Sequence, residues 1–189
     1  MTDLFAATRS VRIIRVPVLV LLILTASLLG TSVARADQPV VPVPSADPAM
    51  TAAFAKARSS IDAFLTQWRA PRNGANSFSV KLGLIDTKYR PGFAIVRPDQ
   101  PTDAEIEWFW INLVRETGGV YEGTIGNDPE SIHNVRLGQT IRFVRDDIGD
   151  WMYFRAGHIV GNATICPALA HAPEADRREM RDRYGVVCD

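Results

Sequence analysis

The chain has 189 residues, with 21 basic and 21 acidic side chains, 47% hydrophobic residues and two cysteines. That balance offers no basic excess to hold a phosphate backbone, which excludes non-specific nucleic-acid binding. The length suffices for one domain with a substantial core.

Arg9, Arg12 and Arg15 form a positive N-terminal region, and VPVLVLLILTASLLG from Val16 to Gly30 is an apolar run. Ala34-Arg35-Ala36 then places small residues at the two positions a signal peptidase needs, so cleavage is expected between Ala36 and Asp37. The apolar run has fifteen residues. At ~1.5 Å each they fall short of a ~30 Å hydrocarbon core, so the segment reads as a leader and not an anchor. No cysteine stands near the cut to carry a lipid, and the leader segment has no paired Arg-Arg. The expected mature chain, residues 37–189, carries 17 basic and 20 acidic side chains. It is periplasmic or secreted, with no membrane span.

Residues 37–47 are proline-rich and read as an extended tether. Asp47 offers an N-cap and Pro48 suits the first helical position. Phe54, Ala57, Ile61, Leu65 and Trp68 share one face of an amphipathic helix over 48–69. From Phe78 the period changes to two, with Phe78, Val80, Leu82 and Leu84 alternating against Ser79, Lys81 and Gly83 as in a half-buried strand. YRPGF reads as a turn. EIEWFWINLVRE fits either period. Its aromatic and β-branched content, and the Gly118-Gly119 that follows, favour a central strand from Glu107 and a hairpin. GVYEGTI, TIRFVR, WMYFR and HIVGNATI are further strands, and APEADRREMRDRYG is a short polar helix. The sum is an α+β fold, a meandering antiparallel sheet of about five to six strands with a helix before and after it. Cys166 and Cys188 flank the last helix and read as a disulfide, worth ~3 kcal/mol by loop closure. Their spacing is not that of a CxxC redox motif.

A series of short motifs runs through this sheet. Glu107-x-x-Trp110, Tyr121-Glu122-Gly123, Asn127-x-Pro129, Leu137-Gly138, Ile148-x-Asp150-Trp151-Met152, Gly157, Gly161 and Thr164 occur in that order. The series resembles the YegJ-like bacterial domain of unknown function over about residues 78–165. The resemblance implies the fold boundaries and no activity. It leaves the helix at 48–69 and the Cys166–Cys188 tail outside the shared pattern.

The densest polar stretch is DDIGDW. Asp146, Asp147 and Asp150 could give hard oxygen ligands to a cation, with His158 or His133 nearby in a hydrolase. The spacing is not that of a calcium loop, however. The simpler reading has Asp150 accepting from turn N–H groups while Trp151 enters the core. No two of His133, His158 and His171 are four residues apart, and no Gly-x-Ser-x-Gly elbow exists. Ser131 and His133 form at most a loop pair. Glu105 and Glu107 read as a solvated strand edge, and GTIGNDP lacks the lysine of a phosphate loop. The aromatic surplus is therefore the leading functional signal. Trp108, Trp110, Tyr121 and Tyr153 are the candidates for a binding surface, and Trp68, Trp151 and Phe154 add to the count.

The function expected from this sequence is that of an exported non-catalytic binding domain of the bacterial envelope, without cofactor or metal. Its partner would be another envelope protein or a small ligand. The alternative is a small periplasmic hydrolase or metal-dependent enzyme built on Asp146, Asp147 and Asp150. Intact mass of the periplasmic fraction should give a chain beginning at Asp37; a full-length, membrane-bound product would overturn the leader.

Overall fold

The computed structural model describes residues 47–87, 92–100 and 102–188. The expected leader, residues 37–46 of the tether, and Tyr89, Arg90 and Pro91 of the expected turn lie outside the described residues. The Asp47 carboxylate accepts from Ala49 N at 2.7 Å and Met50 N at 3.1 Å, starting a helix with Pro48 in its first turn. Helix α1 (Pro48–Ser59) and helix α2 (Ile61–Arg69) then follow. The helix expected over 48–69 is thus two, parted at Ser60. There the Ala57 carbonyl accepts from Ser60 N at 3.1 Å, Ser60 Oγ at 3.0 Å and Trp151 Nε1 at 3.0 Å. That demand comes from 94 residues away and no local period reveals it. The apolar stripe persists: Ala57, Ile61, Phe64 and Leu65 are buried, and Phe54 and Trp68 half-buried.

Strands β1 (Asn76–Asp86), β2 (Phe93–Val96), β3 (Glu107–Thr117), β4 (Val120–Ile125), β5 (Thr140–Val144), β6 (Asp150–Arg155) and β7 (His158–Gly161) make one antiparallel sheet. Its order is β5-β4-β3-β1-β6-β7, with β2 also paired to β1. The α+β class read from the sequence holds. β2 is an addition, and β1 is the hub, bonded to β3, β6 and β2. One sheet face carries Val80, Leu82, Leu84, Phe109, Ile111 and Ile125, all buried in a core shared with Ile61, Phe64 and Leu65 of α2. Paired residues of an antiparallel sheet share a face. The opposite face therefore holds Ser79, Lys81 and Gly83, in register with Asn112, Trp110 and Trp108 of β3. On its other side the same face meets Met152 and Asp150 of β6.

HIVGNATI continues as a strand only to Gly161. Asn162 turns left-handed at φ 57, and Asp150 takes the N–H groups of Ala163 and Thr164, which ends the ladder. Helix α3 (Ile165–Ala170), absent from the sequence reading, starts there and leads to α4 (Glu174–Tyr184). The expected Cys166–Cys188 bond is present, tying α3 to the segment after α4 with a Cα separation of 5.4 Å. Leu169, Ala172 and Met180 form a small second core beneath it. No helix among the described residues is long and apolar enough to cross a membrane.

Because the disulfide braces this second core and not the sheet, Cys188→Ser should speed amide exchange in α3 and α4 by about tenfold and leave β1 and β3 unchanged. Uniform acceleration across the sheet would show instead that the bond supports the whole fold.

Candidate functional site

The three acidic residues of DDIGDW part company. Asp146 is exposed beside Arg145 at 3.7 Å. Asp147 accepts from Val144 N at 2.9 Å and meets Arg97 Nε at 3.3 Å. Asp150 alone turns inward. It has no exposed surface and accepts from Trp151 N at 2.7 Å, Ala163 N at 3.2 Å, Thr164 N at 2.8 Å and Thr164 Oγ1 at 2.7 Å. His158 is exposed against Gly185, and His133 is held by Asp86 through Nδ1 at 3.3 Å. These contacts are those of the simpler reading of DDIGDW: strand pairing and the loop contacts aim these groups at different partners. Among the described residues no group of three or more His, Cys, Asp or Glu side chains could hold a metal ion.

What Asp150 does bring together is a group the sequence hid. Lys81 lies opposite Asp150 in the β1–β6 register and opposite Trp110 in the β1–β3 register. Its Nζ donates to Thr164 Oγ1 at 2.5 Å and stands 4.5 Å from the centre of the Trp110 ring. The residue is half-buried, with its ammonium end set between Thr164 and the Trp110 ring. Burial accordingly lowers its pKa from 10.5 to about 8, against an opposing pull from the Asp150 charge. Nearby, Asn162 is 4% exposed and its Oδ1 is buried without a hydrogen-bond partner among the described residues. A lysine in the outward phase of an alternating strand reads as solvated, so no sequence signal singled out Lys81.

The aromatic candidates divide by face. Trp110 is half-buried over Lys81, and Trp108 is half-buried against Phe54 at 4.5 Å. Tyr121 and Tyr153 are core residues, 3% and 7% exposed, and their assignment to a surface is corrected. Tyr121 stacks on Phe143, and its hydroxyl accepts from Arg69 Nη2 at 3.0 Å. Tyr153 stacks on Phe78. Both sit in the phase of their strands that faces the helices.

The remaining motif residues build loops. Glu107 was expected at a solvated edge, but its carboxylate accepts from the backbone N–H groups of Glu130, Ser131 and Ile132 at 2.8–2.9 Å, just past Pro129. Ser131 Oγ also faces Glu107 at 3.3 Å while His133 bonds Asp86, so the Ser131–His133 pair is drawn apart. Asn127 Oδ1 accepts from Trp110 N at 2.8 Å, beyond the end of the β3–β4 pairing. A side chain on Gly123 would meet Asn112 O and Ile111 Cγ2 at 2.6 Å, so only glycine fits there. Gly138 and Gly157 hold left-handed turns at φ 77 and 81. Trp151 stacks on Phe64 at 5.1 Å as it enters the core. Elsewhere a cleft of about 550 Å³ opens beside Cys166, Leu169 and Val186 with largely apolar walls, and Arg177 at its margin is tied to Glu174.

Residues 47–187 match the family described as "Uncharacterized protein conserved in bacteria (DUF2314)", and the chain belongs to that family. It is 32% identical over 133 residues to the uncharacterized protein YegJ of Escherichia coli (strain K12), covering 70% of this chain and 75% of that protein. It is also 32% identical over 85 residues to a putative ankyrin repeat protein of Neisseria meningitidis serogroup B, covering 44% of this chain and 34% of that protein. The chain thus spans about a third of that second relative's length. No solved structure matches. The family extent corrects one expectation: α1, α2 and the segment from Cys166 to Val187, read as lying outside the shared pattern, fall within it, and the match ends one residue before Cys188.

Asp150→Ala should cost ~3–5 kcal/mol, because it strips four donors and leaves a buried ammonium uncompensated. Asp146→Ala, on the surface, should stay within ~0.5 kcal/mol. Urea unfolding separates the two, and equal losses would restore the acidic cluster.

A second measurement tests Lys81. Its pKa is lower in the fold than in the unfolded chain, so the unfolded chain binds the extra proton between about 8 and 10.5. The penalty for its buried charge is therefore full below that window and fades across it. Wild type should gain stability on Lys81→Met as pH rises from about 8 to 10.5; parallel curves would show an ordinary surface lysine.

Proposed function

We propose that this chain is an exported, non-catalytic binding domain of the bacterial envelope, and that it meets its ligand on the sheet face carrying Lys81 and Trp110. The single observation behind this reading is the placement of Lys81 on that face, with an indole on one side and the Asp150–Thr164 pair on the other. The core does not use this face for packing against α2, and it retains half-buried Trp110 and Met152 beside exposed Asn112. An amine against an aromatic ring, with hydrogen-bonding groups alongside, is a recognition set. The hydrolase alternative relied on Asp146, Asp147 and Asp150 with His158 or His133, and the separate structural partners of these groups support the binding reading over it. The Neisseria relative's name, a putative ankyrin repeat protein, lends some support to an interaction role.

The test is photo-crosslinking in the intact envelope, with the reactive side chain placed at exposed Asn112 and, as a control, at exposed Lys56 on α1. Adducts should form at Asn112, vanish on Trp110→Ala, and be absent at Lys56. Equal adducts at both positions would remove this face from the proposal.

A further inference from the structure

We propose that Lys81 is a nucleophilic amine and that the ligand it takes is an aldehyde, held as an imine. This deepens the reading of the Lys81–Trp110 face as a ligand face and rests on it for the ligand's approach. The first ground is residue choice. Only Lys56, Lys81 and Lys88 among the 21 basic residues are lysines; all the rest are arginines. Arginine keeps its proton under any ordinary condition, whereas a buried lysine can lose it. The second is hydrogen-bond direction. The Thr164 hydroxyl hydrogen goes to Asp150 Oδ2 at 2.7 Å, so Thr164 can only accept from Lys81 Nζ, at 2.5 Å. It orients the amine by one N–H and leaves the nitrogen lone pair free. The third is charge: the nearby Asp150 carboxylate already balances an ammonium, so an anionic ligand gains little, while a neutral carbonyl compound meets no opposing field. The Trp110 ring at 4.5 Å provides an apolar wall for the ligand's body.

In the reaction the Nζ lone pair attacks the carbonyl carbon. A C–N bond forms as the C=O π pair moves to oxygen, and a proton passes from nitrogen to that oxygen to give a carbinolamine. Loss of water then yields the imine, with no change in oxidation state. Thr164 and Asp150 act as positioning residues. The depressed pKa agrees with this role: at pH 7 about a tenth of Lys81 is neutral, against less than about a thousandth for a lysine near 10.5.

The experiment is reductive methylation of the folded chain with trace formaldehyde and cyanoborohydride, mapped by peptide mass from pH 6 to 10. Lys81 should react about tenfold faster than exposed Lys56 at pH 7, with a midpoint near 8, and the two should become equal in urea. A Lys81 that reacts more slowly than Lys56 in the fold, and catches up only on unfolding, would overturn the proposal. Fast Lys81 labelling without Asn112 adducts would unseat the partner reading alone. Adducts with slow labelling would unseat the imine alone.

Discussion

The buried Asp150 carboxylate is the constraint around which the second half of the molecule is arranged. A carboxylate without exposed surface costs several kcal/mol unless its lone pairs are filled. Here three backbone N–H groups and one hydroxyl fill them. Two of those N–H groups, from Ala163 and Thr164, would otherwise have extended β7 or been left unpaired. Their capture ends the strand, sets the start of α3 and brings the Thr164 hydroxyl over β1. The strand that receives it is the hub of the sheet, so one acidic side chain couples sheet, turn and C-terminal helices.

The same device recurs on a smaller scale. Glu107 gathers the N–H groups of residues 130–132. Asp86 gathers those of His133 and Asn134, and these bonds hold its pKa below the usual carboxylate range. Asp147 does likewise for Val144. Each clamp converts irregular chain into a fixed loop, because a charged acceptor bonds backbone amides more strongly than a neutral one. Carboxylates spent this way have few lone pairs left for a substrate or cation.

The sequence disclosed what depends on local pattern. Alternation marked β1, the Gly118-Gly119 turn marked the β3–β4 hairpin, and the cysteine pair marked the brace on α3 and α4. Most motif residues also find local reasons: Gly123 for close strand approach, Asn127 to bond the N–H of Trp110. What stayed hidden depends on distant contacts. Lys81 reads as solvated until Thr164, 83 residues later, closes over it. The break at Ser60 needs the Trp151 indole, 91 residues away from it. Tyr121 and Tyr153 read as surface candidates by residue type, and only the register shows that they share the phase of the core.

The disulfide belongs to this account through its position. Cys166 lies two residues after Thr164, so fixing it to Cys188 restrains the segment that carries the hydroxyl above Lys81. The polar contacts of the Lys81 amine are then set from both directions, by Asp150 within the sheet and by the braced helices outside it. Such a brace has its value in an oxidising compartment, where it persists; that is the setting we propose for the exported chain. If the bond is absent, the Thr164 segment keeps its three bonds to Asp150 but loses its tether beyond α3. The hydroxyl would hold its mean position with a wider spread. An amine oriented by a single N–H bond is sensitive to that spread, so the order of the C-terminal helices and the chemistry of Lys81 are linked although the cysteines do not touch the lysine.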